Sequence, residues 1–229
     1  MRPIVKLLNL NRMGYNDALN IQVNLMKKLL SSIESNPNQC DVNKLENTLI
    51  LVEHNPVYTI GIRSTNYTNA QENELKQLGA EFIRTNRGGL ITFHGPGQLV
   101  VYPILYLNLF KGINTVKSYV KHLENTIIDL CNAFSIKSNV IQGLPGVWVN
   151  NQRKIAAIGL HCSRNVTMHG IAVNCNVDLN WFGHIIPCGI QDKTVTSISK
   201  ELNKNISIKD VAPVFIEMFS KNFNCEVQS

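Results

Sequence analysis

Two stretches of this chain combine residue types that ordinary strands and loops do not need. The first is Arg87-Gly88-Gly89-Leu90-Ile91-Thr92-Phe93-His94-Gly95-Pro96-Gly97-Gln98, with four glycines in twelve residues. Glycines at that density let the main chain approach a ligand closely and turn N–H groups toward it. Arg87 and His94 bracket the tract with a cation and a titratable ring. The same tract also reads as a tight turn between two strands. It contains neither G-x-G-x-x-G nor G-x-x-x-x-G-K followed by Ser or Thr, so neither common nucleotide loop is present.

The second stretch is discontinuous: Lys154-Ile155-Ala156-Ala157-Ile158-Gly159, then Thr167-Met168-His169-Gly170-Ile171-Ala172, then Pro187-Cys188-Gly189-Ile190. Cys188 lies between Pro and Gly, a loop context that presents a thiol for chemistry. Cys131, Cys162 and Cys175 fall instead within apolar helix or strand patterns and read as small core residues. His184-x-x-x-Cys188 has two metal-ligand types, but no C-x-x-C pair completes a set, and no metal is expected.

The elements that must position these residues follow from periodicity. Ala18, Leu19, Met26, Leu29, Leu30 and Ile33 are spaced as one helix from Tyr15 that stops before Asn36-Pro37. Val120, Leu123, Ile127, Leu130 and Phe134 mark a second helix over 116–134. Ser207-Ile208-Lys209-Asp210 opens a third that runs to about Phe223. A shorter helix through Leu75 and Leu78 ends at Gly79. Strands are predicted over 48–52, 57–61, 81–85, 99–105, 147–149, 155–160 and 167–173, with a polar loop over 35–44. Ile4, Leu7, Leu8 and Leu10 alternate as a first strand, although Arg2, Lys6 and Arg12 also give the start a presequence-like composition. Strands outnumber helices and are interrupted irregularly, which defines an α+β (mixed α/β) class in one domain over 1–229.

Hydrophobic residues make up 44% and charged residues 17% of the 229, which excludes a disordered chain. No apolar run reaches the ~18 residues that a membrane span requires. Twenty-two Lys and Arg against sixteen Asp and Glu give a net charge of +6, suited to acidic partners. Basic residues are dispersed without aromatic interleaving, so no nucleic acid is expected. Six cysteines without a secretory signal point to a reducing compartment.

Taken together, the tract 87–98, the Lys154 segment, Thr167-x-His169-Gly170 and Pro187-Cys188-Gly189 resemble, in order and spacing, the lipoyl(octanoyl) transferases. Glu53-His54-x-Pro56-x-Tyr58-Thr59-x-Gly61 and Thr196-Ser197-Ile198 extend the resemblance from about Val5 to about Leu202. Asn180-Trp181-Phe182 and the short basic start resemble the mitochondrial branch, which implies a mitochondrial location, with the cytoplasm as the alternative. Phe93 stands where Tyr is frequent, and His161-Cys162 replaces a basic/apolar pair.

The resemblance implies a biotin/lipoyl protein ligase-like domain, with a mixed sheet flanked by helices. It also implies transfer of an octanoyl group from acyl carrier protein to a lysine of lipoyl domains, without cofactor. The acceptors implied are lipoyl domains of 2-oxoacid dehydrogenase complexes and the glycine cleavage H protein. Cys188 matches the acylated cysteine and Lys154 the lysine that favours its thiolate. Arg87 to His94 (Arg87, Gly88, Gly89, Leu90, Ile91, Thr92, Phe93, His94), Ala157, Ile158 and Gly159, and Gly170, Ile171 and Ala172 match acyl-binding positions. Ile91, Phe93, Ile158 and Ile171 are expected as walls for a saturated chain, and His94 and His169 as substitute bases should Lys154 serve only as a charge. An ATP-dependent ligase on the same fold, a non-catalytic acyl-binding module and a cysteine hydrolase are the rival readings; a ligase or module would not need Cys188.

Overall fold

The computed structural model describes residues 2–34, 45–63, 67–185 and 193–228. Their order is β1 (Ile4–Met13), α1 (Tyr15–Glu34), β2 (Asn47–His54), β3 (Val57–Ile60), α2 (Asn69–Gln77), β4 (Glu81–Arg84), β5 (Thr92–His94) and β6 (Gln98–Ile104). There follow α3 (Val116–Ala133), β7 (Asn139–Ile141), β8 (Leu144–Val149), β9 (Arg153–Ser163), β10 (Val166–Asn174), β11 (Thr194–Val195), α4 (Ile198–Leu202), α5 (Ile208–Phe223) and β12 (Glu226–Gln228). The polar loop over 35–44, the stop at Asn36-Pro37 and the whole Pro187-Cys188-Gly189 motif lie outside the described residues, as does Cys40.

One large mixed sheet runs β12-β1-β2-β6-β10-β9-β8-β7, with β11 added beside β9. β1 is parallel to both β2 and β12, and the pairs from β2 through β6, β10 and β9 to β8 are antiparallel. The alternation of residues 4–13 is thus used as a paired strand. A small sheet, β4-β3-β5, stands apart and carries the end of the glycine tract. β5 is three residues long, too short for alternation to announce it, and pairs antiparallel with β3.

The central strand β6 is buried along its whole length. Its period of two sends Leu99 and Val101 into a core with Leu123, Ile127 and Leu130 of α3 and Phe215, Phe219 and Phe223 of α5. Val100, Tyr102 and Ile104 face a second core with Ala18, Met26 and Leu29 of α1. Helices therefore cover both faces of the sheet, which explains why its middle strands read as continuous apolar runs. Capping fixes the helix starts: Thr115 Oγ1 accepts from the Ser118 N–H at 3.0 Å, and the Ser207 N–H donates to Asp210 at 2.8 Å. A third, largely aromatic cluster joins the small sheet to the 3-10 stretch at Leu179–His184 through Tyr58, Phe93 and Phe182.

Candidate active site

Lys154 is the second residue of β9, and its position is set from two sides. Its residue pairs with Trp148 of β8 and with Val195 of β11. The Thr196 N–H donates to the Lys154 carbonyl at 2.9 Å. Its side chain is buried, with Nζ 4.5 Å from the centre of the Trp148 ring. The electron-rich face of an indole attracts a cation placed over it.

Beside Lys154, the small residues of β9 and β10 leave room for a pocket. Gly159 pairs with Gly170, Ile158 with Ile171 and Ala157 with Ala172. A Cβ on Gly170 would strike the Val101 carbonyl and come within 2.7 Å of Pro103 Cδ, so only glycine permits β10 to lie this close to β6. The glycine tract approaches from the other side: the Gly88 N–H donates to the Leu160 carbonyl at 2.8 Å. A cavity of about 220 Å³ lies between them. Its lining includes Arg87, Gly89, Leu90, Ile91, Thr92, His94, Lys154, Ala157, Ile158, Gly159, Gly170, Ile171 and Ala172. Segments far apart in the sequence thus meet around one mainly apolar space.

Two expected positions stand elsewhere. Gly88 is behind the lining, bonded to β9. Phe93 is fully buried and stacks on Trp181, centroids 4.8 Å apart and planes within 5°, with Phe182 edge-on at 5.7 Å. The alternation of β5 turns Phe93 into the aromatic cluster while Thr92 and His94 face the cavity, so the expectation of Phe93 as a chain wall is corrected. Phe182 lines the cavity in its place.

Arg87 is buried and tied to β3: Nη2 donates to the Thr59 carbonyl at 2.6 Å and to Thr59 Oγ1 at 2.9 Å, and Nη1 to the Gly88 carbonyl at 3.0 Å. It lines the pocket and clamps the glycine tract at once.

Under the tract lies a set of rings that spacing did not bring together. The His54 Nδ1–H donates to the Met13 carbonyl at 3.3 Å, leaving Nε2 to accept from the Tyr102 hydroxyl at 2.8 Å. Asn174 Nδ2 donates to the Thr196 carbonyl, Gln98 Nε2 to Asn174 Oδ1, and Gln98 Oε1 accepts from His94 Nδ1–H at 2.7 Å. His169 Nε2–H donates to Asn86 Oδ1 at 2.7 Å, while Nδ1 faces the Tyr15 hydroxyl at 3.4 Å. The His169 backbone is left-handed at φ 59°, with its N–H held by Gln22 Oε1 at 3.0 Å. Burial pushes His94 down to about 3, helped by the His54 ring and the Arg87 cation; burial and Arg87 push His169 down to about 3, and burial takes His54 to about 4. All three are neutral at physiological pH and weak as bases, so the substitute-base role expected for His94 and His169 is not favoured. Tyr15, Tyr102, Gln98 and Asn174 join the lining without any motif to single them out.

The expected core cysteines behave as such. Cys131 and Cys175 are fully buried and their thiols are pushed up, to about 11 and about 12, by burial. Cys162 is half-buried and also raised.

An apolar cavity roofed by a glycine tract, with a buried lysine in its wall, is carried on the mixed sheet of a lipoate-ligase-like fold. The family model for the lipoyl protein ligase A/B catalytic domain matches residues 19–220. The chain is 49% identical over 224 residues, 98% of its length and 94% of the relative's, to the mitochondrial octanoyl-acyl-carrier-protein:protein N-octanoyltransferase of Danio rerio. It is 38% identical to the protein of that name from Homo sapiens, over all of this chain and 97% of that one. An octanoyltransferase of Koribacter versatilis is 40% identical over 98% of this chain and 86% of its own. Among solved structures, the bipartite lipoate protein ligase of Thermoplasma acidophilum shares the fold at TM-score 0.70 and 15% identity, covering all of this chain and 87% of that one. The chain belongs to the lipoyl protein ligase A/B catalytic-domain family, on the mitochondrial octanoyltransferase branch.

Proposed function

We propose that this protein is an octanoyltransferase that acts as one catalytic domain over 1–229, moving octanoyl from acyl carrier protein through a Cys188 thioester. The acceptors are lysines of lipoyl domains in 2-oxoacid dehydrogenase complexes and of the glycine cleavage H protein, and the reaction is the first step of endogenous lipoylation. The observation that carries the reading is the cavity with Lys154 in its wall. A cavity of about 150 Å³ holds a benzene ring, and on that scale one of 220 Å³ takes about nine carbons, which suits a medium acyl chain.

The chemistry needs no nucleotide. The Cys188 thiolate attacks the donor thioester carbonyl, the bond from that carbon to the carrier sulfur breaks, and the carrier thiol leaves with the proton that Lys154 gives up. Exchange of one thioester for another is nearly thermoneutral. A free cysteine with pKa ~8.5 is only a few per cent thiolate at neutral pH, so a cation must favour the anion; Lys154 is assigned that task. In the second half-reaction the acceptor amine attacks the enzyme thioester, an amide forms and Cys188 leaves. The amine's proton passes to Lys154, neutral at that stage. Main-chain N–H groups of the small-residue segments serve the oxyanion.

The test is intact-mass spectrometry of the purified protein after incubation with octanoyl-carrier protein, without ATP. A single hydroxylamine-labile octanoyl adduct on the Cys188 peptide, absent in Cys188→Ser and kept in Cys162→Ser and Cys175→Ser, is expected. An adduct on another peptide, or none without ATP, overturns the mechanism.

A further inference from the structure

We propose that Arg63, at the mouth of the acyl cavity, binds the phosphodiester of the donor's carrier arm. The proposal rests on the octanoyl-transfer reading above and adds to it a charged subsite. Three cations line the cavity. Arg87 is buried and committed to Thr59 and Gly88, and Lys154 is buried over Trp148. Arg63 is exposed, so it stands where the cavity opens to solvent. Four other arginines have side-chain partners: Arg12 with Asn55, Arg84 with Glu72, Arg153 with Glu201 and Arg164 with Glu34. Among the described residues Arg63 forms no ion pair and no side-chain hydrogen bond.

Its main chain is nevertheless fixed. The Ile62 N–H donates to the Arg87 carbonyl at 3.0 Å, and the Arg63 N–H to the Gly89 carbonyl at 3.3 Å. The contact is so close that a Cβ on Gly61 would lie 2.8 Å from the Arg87 carbonyl. The main chain that carries Arg63 is therefore anchored to the tract that walls the cavity, while its donor fork has no partner among the described residues. Ile62 beside it is 66% exposed and offers an apolar surface at the same lip.

The chemistry of a carrier-bound acyl group matches this arrangement. Its thioester ends a flexible arm that joins the carrier protein through a phosphodiester. With the acyl chain in the cavity, the arm must leave across the mouth. A planar five-donor fork suits two phosphate oxygens better than it suits any neutral part of the arm.

The experiment compares wild type with Arg63→Gln and Arg63→Lys on three donors of one acyl group: octanoyl-carrier protein, octanoyl-4′-phosphopantetheine and octanoyl-pantetheine, which lacks the phosphate. KM for the two phosphorylated donors should rise about tenfold in Arg63→Gln, as loss of a charge-assisted contact predicts, with kcat unchanged. KM for octanoyl-pantetheine should stay at the wild-type value, and Arg63→Lys should fall between. An equal rise for all three donors would mean that Arg63 shapes the acyl cavity and would overturn the proposal. A rise confined to the carrier protein would place its contact on acidic carrier side chains and would overturn it too. Wild type inactive with every donor would instead bring down the octanoyl-transfer reading, and this subsite with it.

Discussion

At Lys154 two demands meet that one substitution can separate. Favouring a thiolate needs only positive charge, whereas accepting a proton from the acceptor amine needs a group that can be neutral. Arginine meets the first demand alone, because its pKa stays above ~12. In a two-step single-turnover assay, Lys154→Arg should retain slow formation of the Cys188 thioester and stall in passing it to lipoyl domain; Lys154→Ala should lose both. Normal passage from the Arg variant would reduce Lys154 to an electrostatic neighbour. The three buried histidines make a different prediction. Each binds a proton in the unfolded chain near pH 6.5 but holds none in the fold until about 3 or 4. Between those values the unfolded state carries more protons, so stability must rise with pH and fall on acidification. The slope is at most about 1.4 kcal/mol per histidine per pH unit. Melting temperature should therefore drop steeply from pH 7 to pH 5, and substituting His54 with Gln should flatten the curve.

Among the elements, the glycine tract depends on how closely strands and side chains pack. Arg87 holds it to β3 with a buried fork, so Arg87→Ala should lower stability by about 2–4 kcal/mol as well as slow acyl loading. Denaturant unfolding and adduct formation measured on the same preparation check both effects, and Lys at this position should restore neither, since one ammonium cannot span the same acceptors. Gly170 sets the spacing of β10 against β6. Gly170→Ala should cost more than about 3 kcal/mol, because the carbonyl and the proline ring it meets belong to a buried central strand that cannot yield. A melting temperature near wild type would show that β6 gives way.

For the whole molecule, a net charge of +6 is a steering field. Acidic carriers should be captured faster at low ionic strength, so the second-order rate of acyl loading should fall several-fold as salt rises from about 20 to about 200 mM. The octanoyl-pantetheine rate should be flat over the same range, because that donor brings no charge to be steered.

Local pattern was enough for α1, α3, α5 and the central strands, because each buries a stripe or an alternating face whose period is written in consecutive residues. The glycine tract and the Gly170 segment were also marked out, since close main-chain approach demands particular residue types, whereas Lys154 was reached through the family resemblance. β5, β7, β11 and β12 escaped local pattern: two or three residues carry no period, and their pairing comes from strands far away in the chain. Phe93 was misjudged for the same reason, its side decided by pairing with β3. The ring set of Tyr15, His54, His94, Tyr102 and His169 was also illegible as a unit. Residue type told that these side chains can titrate. Only the tertiary structure, by burying them together beside Arg87, decided that the histidines stay neutral, because desolvation and a neighbouring cation act through space and leave no trace in spacing.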